Sequence, residues 1–542
     1  MTSNVRTPIN SVTQTPIAAH NVPDEYHCSA LITMAGIQAD TGKATRGEGR
    51  RGRHGAQRPD QVSLEVLVAA VPRDAVDGAV AGCGVGAKRS DGKLPPHVTY
   101  MTMAMCLFGE DDYEEVATKV TGSLSAWGCW DATWSVPTAS GITQARKRLG
   151  SAVLAEVFEQ VAGPAASMLT RQAWLRGWRL VAIDGFEVDV PDTEGNAAEF
   201  GYAGSGANRS AFPKARVVTL AECGTHAFLA AQVGAYSVGE KTLAKGIYGR
   251  LRPDELLTAD RNFYSFEAWE LATRSGAALL WRAPTQLELP VVKILSDGTY
   301  LSVLINPAIR GARRRAAILA AATQIADPGA GEGSGSGSGG ELDPTEAHLV
   351  RVVEYDVPDR AGNGTGELIV LLSTICDPAT ARADELAAAY HQRWEEETAN
   401  EQLKTHLRGP GKLLRSRLPE LVHQEIWAWL LVQHALSALI TQAAEAADLD
   451  PDRVSFTRVL RIARRTATGT AGFPPEDWNN ALPHVLAAIT AKINPVRRDR
   501  SCPRAVKRAR HNNYRVKKPG ETALHHPGPP TIHIHALTPR AA

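Results

Sequence analysis

The sequence lacks a cysteine framework. Its seven cysteines are an odd number, they are scattered, and no CxxC pair occurs. This argues against a disulfide-stapled fold and a cysteine zinc site, and it fits a reducing environment. The N-terminus also lacks the apolar segment that a secretory signal needs. We therefore expect an intracellular protein.

Long hydrophobic runs are also missing. The longest membrane-like stretch, residues 426–440, has 15 residues and contains Gln433 and His434. A membrane span needs roughly 20 apolar residues. The stretch therefore predicts a buried helix, and no membrane partner is expected.

Excess charge of either sign is absent overall, because the formal net charge is +1. Its distribution is uneven, however. Between positions 497 and 518 there are ten Lys or Arg residues against one acid, and a second basic run lies between Lys43 and Arg58. Such blocks either bind phosphates through counterion release or form solvated tails. The first interpretation makes Arg504, Lys507 and Arg508 candidate DNA contacts.

The length of 542 residues, with 44% hydrophobic and 22% charged residues, indicates a globular protein of about three folded units. Changes in composition and periodicity predict seven segments. They are a disordered basic N-terminal segment (1–61), a helical N-terminal domain (62–172), the first part of an α/β core (173–284), a β-rich insertion with a Gly/Ser spacer (285–367), the second part of the core (368–445), a C-terminal helical segment (446–496) and a basic tail (497–542).

One helix of the N-terminal domain carries clustered positive charge. The sequence TASGITQARKRLG at 138–150 predicts a helix after a Ser-Gly turn, with Arg146, Lys147 and Arg148 along it. Such a helix could enter a DNA groove. An ordinary charged helix face is the commoner explanation.

From about residue 178 the pattern changes to alternating short strands and helices. Three strands, a helix, a strand, a helix and a strand precede the insertion, and a strand and a long helix follow it. This order predicts an α/β fold with a ribonuclease-H-like core interrupted by a β-rich insertion.

Two acids stand where apolar strands of this core run out, Asp184 in WRLVAIDG and Asp260 in ELLTAD. Side chains at such positions project from a rigid sheet edge. On the long helix after the insertion, successive spacings of 3, 4 and 7 residues place four side chains on one helical face. These four are Tyr390, Arg393, Glu397 and Lys404.

Three carboxylates from two strands and a helix predict a metal site. Each acid alone is more commonly a turn residue, a cap or part of a solvated face. Together, Asp184, Asp260 and Glu397 form an oxygen-rich set that suits Mg²⁺, with Mn²⁺ as a substitute. Two such ions promote in-line displacement at a phosphodiester.

These motifs resemble the DDE transposases of the insertion-element-four family. The resemblance covers about residues 62 to 520. Its most specific part is Y-x2-R-x3-E-x6-K, met by Tyr390, Arg393, Glu397 and Lys404. The segments AIDGFEVDVPDTEGN, from Ala182, and DRNFY, at 260–264, match the family patterns around the two aspartates.

The resemblance implies that Asp184, Asp260 and Glu397 bind two metal ions. It further implies that Tyr390, Arg393 and Lys404 contact DNA phosphates. The partners that it implies are double-stranded DNA, as element end repeats and target, and a second copy of the chain in a homodimer. A cytoplasmic, nucleoid-associated location follows. Arg261 is a further candidate phosphate contact, and a surface salt bridge explains it equally well.

Two other functions compete with an active transposase. The first is a catalytically silent DNA-binding relic or repressor of the element, which the Gly/Ser spacer at 331–340 would fit. The second is a stand-alone nuclease, which would need neither the helical N-terminal domain nor the basic tail.

Overall fold

The structure is a computed structural model of the whole chain. It describes residues 69–86, 95–126, 136–327, 342–357, 368–409, 413–467, 478–496, 500–501, 526–527 and 532–538. The predicted disordered segment 1–61, the spacer at 331–340, and Arg504, Lys507 and Arg508 lie outside these residues. The described part is mixed α/β, which confirms the predicted class.

Five helices make up the described part of the predicted N-terminal domain. They are α1 (Arg73–Gly82), α2 (Pro95–Leu107), α3 (Tyr113–Ala126), α4 (Ala139–Leu149) and α5 (Ala152–Val161). Helix α4 starts where it does because the Thr138 side chain accepts a hydrogen bond from the Gly141 N–H. It ends at Gly150, whose φ of 75° favours glycine.

One sheet forms the centre of the core. Its strands before the insertion are β1 (Trp174–Leu175), β2 (Trp178–Asp189), β3 (Lys214–Glu222), β4 (Phe228–Ala235), β5 (Glu255–Ala259) and β6 (Ala278–Arg282). The helices between them are α6 (Glu194–Phe200), α7 (Glu240–Tyr248) and α8 (Phe266–Thr273). Strands β2, β3 and β4 are antiparallel, whereas β5 and β6 continue from β2 as parallel neighbours.

The insertion extends this same sheet. It contains β7 (Lys293–Ile294), β8 (Tyr300–Ile305), α9 (Ala312–Ala326) and β9 (Ala347–Asp356), and β10 (Leu368–Ser373) follows it. Among the described residues, the main strand order is β4-β3-β2-β5-β6-β10-β9-β8-β7, and β1 also pairs with β2. Helix α9 was not predicted. Its Ala- and Arg-rich sequence favours a helix, and it buries only Ile318 and Ala322.

The remaining elements begin with α10 (Ala383–His391), α11 (Trp394–Glu401) and a π-helical segment, Gln402–Leu407. They continue with α12 (Pro419–Ala446), α13 (Phe456–Ala467), α14 (Trp478–Thr490), β11 (Arg500–Ser501), β12 (His526–Pro527) and β13 (His533–Ile534). Strand β13 pairs with β9, so the end of the predicted basic tail is part of the sheet.

Helix α12 is long and apolar enough to cross a membrane, but 83% of its apolar window is buried inside the protein. It packs against α2, α5 and β4 and joins the N-terminal helices to the core. A core helix explains this composition, as the sequence predicted.

Arg146 is fully buried, which contradicts its predicted role as a DNA contact. Its guanidinium donates to the Gln424 side chain at 2.7 Å, the Tyr113 hydroxyl at 2.9 Å and the Leu421 carbonyl at 3.2 Å. Helical spacing placed Arg146 beside its exposed neighbours but could not reveal that α12 packs over it. Lys147 and Arg148 are exposed, and DNA contacts by them stay predictions.

Replacing Arg146 by Met should lower the free energy of unfolding by about 3 kcal/mol or more, because several buried acceptors lose their donor. The matched control is Lys147→Met, an exposed neighbour on the same helix, which should change it by less than about 0.5 kcal/mol. Urea unfolding followed by circular dichroism measures both. Equal losses would contradict the buried network.

Candidate active site

Asp184 lies on β2, and Asp260 directly follows β5, the parallel neighbour of β2. The last paired residues of β2 and β5 are Ile183 and Ala259, and each aspartate is the next residue along. Both are half-buried. Asp184 is not at a strand end, contrary to the prediction, because β2 continues to Asp189 as the partner of β3. What ends at Asp184 is the pairing with β5, and this opens the sheet at the two acids.

The predicted long helix is broken. Tyr390 lies in α10, Arg393 is the N-cap residue that precedes α11, Glu397 lies in α11, and Lys404 belongs to the π-helical segment. The four residues therefore do not share one continuous helical face. π-Helical turns occur often at functional sites, and this one changes the direction of Lys404 relative to Glu397.

Arg393 links the acids electrostatically. Its side chain is buried, and Nη2 lies 3.2 Å from Oε1 of Glu397. Burial alone would lower the pKa of Arg393, but the negative charges of Glu397, Asp260 and Asp184 help to raise it. The cation thus offsets part of the mutual repulsion of the three acids.

The site raises the pKa of Asp184. Burial raises the pKa of its carboxyl, and the charge of Asp260 adds to the rise. The Gly185 N–H and the charges of Arg393 and Lys404 act in the opposite direction without cancelling it. The carboxyl is therefore harder to ionise than an exposed aspartate, so a nearby cation would be favourable.

A fourth acid, Glu240, borders the site and was missed as a site residue. It begins α7 and accepts a hydrogen bond from the Asn262 side chain at 2.8 Å. A Cβ added to Gly185 would lie only 2.9 Å from Cδ of Glu240, so the glycine of the Asp-Gly pair makes room for it. Burial raises the pKa of Glu240, and the charge of Asp184 contributes. The Gly-Glu pair at 239–240 was the available signal.

Glu396 is a second missed residue. It is completely buried, and burial raises the pKa of its carboxyl well above the ordinary value. The Thr219 hydroxyl donates to it at 2.6 Å, and Thr219 is the cross-strand partner of Asp184. Glu396 therefore docks α11 on the strand beside Asp184. Its sequence signal was weak, because three consecutive glutamates resemble a solvated face.

The other predicted DNA contacts differ in exposure. Tyr390 is only 5% exposed, and burial raises its pKa to about 12. Nζ of Lys404 lies 5.5 Å from the ring centre of Phe186, two residues beyond Asp184. Arg261 is exposed beside Asp260. Direct DNA contacts by these residues stay predictions.

Two tryptophans lie close to these elements. Trp281 is fully buried against Trp269 and is a core residue. The side chain of Trp394 is 39% exposed. The Arg393 guanidinium lies 5.2 Å from its ring centre.

The donor set fits hard divalent cations. Asp184, Asp260 and Glu397 offer only carboxylate oxygens, which suit Mg²⁺ or Mn²⁺ better than Zn²⁺. Among the described residues, one group of three side chains has potential metal-ligand atoms that all lie within 4.8 Å of one another. It is a different group, His226, Glu395 and Asp452. The predicted triad is therefore more widely spaced than that group.

Comparisons with known proteins define the class to which the chain belongs. The profile of the insertion element 4 transposase N-terminal domain matches residues 61–159, and that of the transposase DDE domain matches residues 177–433. The chain is 27% identical to the transposase InsG for insertion sequence element IS4 of Escherichia coli K12, over 68% of this chain and 76% of that one. It is 28% identical to the putative transposase InsZ of the same strain, over 31% of this chain and 57% of that one.

A solved structure also aligns with the chain, the cryo-EM structure of a piggyBac transposase synaptic complex with hairpin DNA. The TM-score is 0.39 at 10% identity, over 80% of this chain and 86% of that chain. The two domain profiles together define a transposase of the DDE class. The chain belongs to the insertion element 4 family of these transposases.

In EDTA, Asp184→Asn should raise the melting temperature by about 2 °C. The folded-state pKa of Asp184 lies above its ordinary value of 3.8. The contribution of Asp184 to stability is therefore most favourable below pH 3.8 and is lost as the pH rises through the folded pKa. Asparagine, which does not ionise, removes this loss at pH 7.5.

Addition of Mg²⁺ should raise the melting temperature of the unsubstituted protein but not that of the Asp184→Asn variant. The control is Asp192→Asn, which makes the same change at an exposed acid that follows β2 in the chain. Differential scanning calorimetry measures all three proteins. An equal Mg²⁺ response of both variants would argue against a metal-ligating Asp184.

Proposed function

We propose that this transposase cleaves DNA at the ends of an insertion sequence and joins those ends to target DNA. The observation that carries the proposal is the convergence of Asp184 and Asp260 on paired strands with Glu397, held by Arg393. The antiparallel strands β2 to β4 followed by parallel β5 and β6 support a ribonuclease-H-like core for this chemistry. The class relation of the chain adds to this support.

Asp184, Asp260 and Glu397 would hold the metal ions, Mg²⁺ by preference with Mn²⁺ as a substitute. When bound, two such ions supply positive charge at the attacking and leaving oxygens of the phosphodiester. Glu240 and Glu396 take no part as ligands in this proposal. Glu240 links α7 to the loop after Asp260 through Asn262, and Glu396 fixes α11 on β3 through Thr219.

Arg393 and Lys404 would also attract the DNA phosphate, besides reducing the repulsion among the acids. A DNA phosphate brings further negative charge to a site that already contains several carboxylates. The charges of both residues act on Asp184 already, and both would attract the phosphate. Tyr390 packs below Arg393, with the guanidinium 6.0 Å from its ring centre, and so fixes its position.

The proposed partners are the terminal repeats of the element, target DNA and a second copy of the chain in a homodimer. Lys147 and Arg148 on α4 and Arg261 beside the acids are the exposed cations that would approach DNA phosphates. A cytoplasmic location at the nucleoid is part of the same proposal.

The decisive experiment incubates the full chain with its own element's end DNA in Mg²⁺. Cleavage at the element boundary should fall by about 10³-fold in Asp184→Asn and in Glu397→Gln, since several kcal/mol of charge stabilisation are lost. Glu401→Gln, an exposed acid on the same helix, is the matched control and should cleave normally. Normal cleavage by Glu397→Gln would refute the site.

Two other outcomes support the competing functions. Tight binding to the ends without cleavage, in both Mg²⁺ and Mn²⁺, would indicate a silent DNA-binding relic. Cleavage without joining to a target would indicate a stand-alone nuclease. A gel that resolves nicked, cleaved and joined products separates these outcomes.

The basic tail is tested by its salt dependence. Deletion of residues 497–542 would also remove β13 from the sheet, so substitution is the cleaner change. Replacing Arg504, Lys507 and Arg508 together by Ala should reduce the slope of log affinity against log salt by up to about 3, if each contacts one phosphate. An unchanged slope in an end-binding assay would make these three residues spectators.

A further inference from the structure

We propose that His226, Glu395 and Asp452 form a second metal site, separate from the acids of the active site, that takes a transition metal ion such as Zn²⁺. The ligand atoms of the three side chains all lie within 4.8 Å of one another. Nε2 of His226 lies 2.8 Å from Oε2 of Glu395. Ligand atoms that surround one Zn²⁺ ion have separations of this order, given bonds of about 2.0–2.2 Å.

The three ligands come from elements that are distant in sequence. His226 lies in the turn between β3 and β4, Glu395 is in the first turn of α11, and Asp452 lies in the 3-10 turn Pro451–Arg453. All three side chains are buried. Two carboxylates and one imidazole nitrogen in this arrangement offer a divalent cation both negative charge and ligand atoms.

The backbone of His226 has an uncommon conformation, which is often found at functional sites. Its φ is 62°, in the left-handed region that is uncommon for residues other than glycine. The Ser437 hydroxyl donates to its carbonyl at 3.0 Å, and its N–H donates to the Glu222 carbonyl at 2.9 Å. This fixed conformation aims the imidazole at Glu395.

The other ring nitrogen of His226 also has a polar neighbour. Nδ1 of His226 lies 3.1 Å from the amide of Gln402, and Gln433 donates to Gln402 at 3.2 Å. Metal-ligating histidines use such a contact to fix the ring and its tautomer. Metal binding at Nε2 requires the Gln402 and Gln433 amides to turn together: Nδ1–H then donates to the Gln402 oxygen, and the Gln402 amide nitrogen donates to Oε1 of Gln433, which has no other hydrogen-bond partner.

Space for further ligands adjoins the cluster. His226 and Asp452 line a cavity of about 320 Å³, together with the polar residues Thr398, Gln402 and His406. Water in such a cavity can complete a coordination sphere. The mixed nitrogen and oxygen donors favour Zn²⁺ or a similar ion over Mg²⁺, which distinguishes this site from the all-carboxylate set.

Glu395 ties this site to the helix that carries Glu397. The two residues are two positions apart on α11, about 200° around the helix axis, so their side chains leave it on nearly opposite sides. A metal ion at His226 would therefore fasten the back of this helix to the β3–β4 turn and to the Pro451–Arg453 turn. Its role would be structural, through the position of α11.

The test titrates Co²⁺ into the full-length, EDTA-treated protein in 10 mM Mg²⁺ and follows visible absorption. We expect about one equivalent to bind with a spectrum typical of nitrogen and oxygen ligation. His226→Asn should abolish binding, and Asp452→Asn should weaken it at least about tenfold. His423→Asn is the control and should bind normally, because Nε2 of His423 faces Oε1 of Glu199 at 3.1 Å on α6, away from the proposed site.

The double variant Asp184→Asn, Glu397→Gln separates the two sites, because it should still bind Co²⁺ even if the proposed cleavage activity is lost or was never present. Unimpaired binding by His226→Asn, or no binding by the unsubstituted protein below about 1 mM Co²⁺, would overturn the proposal. If the variants fail to fold, cobalt-edge X-ray absorption of the unsubstituted protein decides. An imidazole nitrogen in the coordination sphere supports the site, and oxygen-only ligation refutes it.

Discussion

The parallel pairing of β2 with β5 is the constraint on which the active site depends. Register alone makes Asp184 and Asp260 neighbours, because each follows the last residue of its strand that joins the pairing. The two residues are far apart in sequence, and no local preference could bring them together. Strand β2 then continues along β3, so Asp184 is anchored on a rigid strand on its other side. A shift of one residue would turn its side chain to the opposite face.

Asp184, Asp260 and Glu397 repel one another, and the residues around them reduce this repulsion. Arg393 is buried among them, although a buried guanidinium is itself costly. Glu396 avoids adding to the charge, because complete burial favours its neutral form. Burial, with a smaller contribution from the charge of Asp260, still raises the pKa of Asp184, so a further cation would favour its ionised form.

The sequence predicted the features that depend on local periodicity or on a short motif. The order of strands and helices before the insertion, the two aspartates and the helix with Glu397 were all readable. Interactions between distant segments were not. Arg146 was assigned to the surface because only the packing of α12 buries it. The break at Arg393 and the π-helical segment were missed because their residues keep an ordinary helical spacing. Likewise, Glu240 reaches the site only because Gly185 leaves space for it.

Helix α11 is where these constraints meet. Glu396 fixes it to β3, Glu397 turns toward Arg393, and Glu395 turns toward His226. Three consecutive glutamates thus have three different environments, although their composition suggests one solvated face. An isolated helix with such a run in its first turn gains a little from the helix dipole, but that gain cannot explain the burial of two of them. Partners on three other elements explain it. The helix is therefore positioned by tertiary contacts on several sides, which is the rigidity that the catalytic role proposed for Glu397 needs.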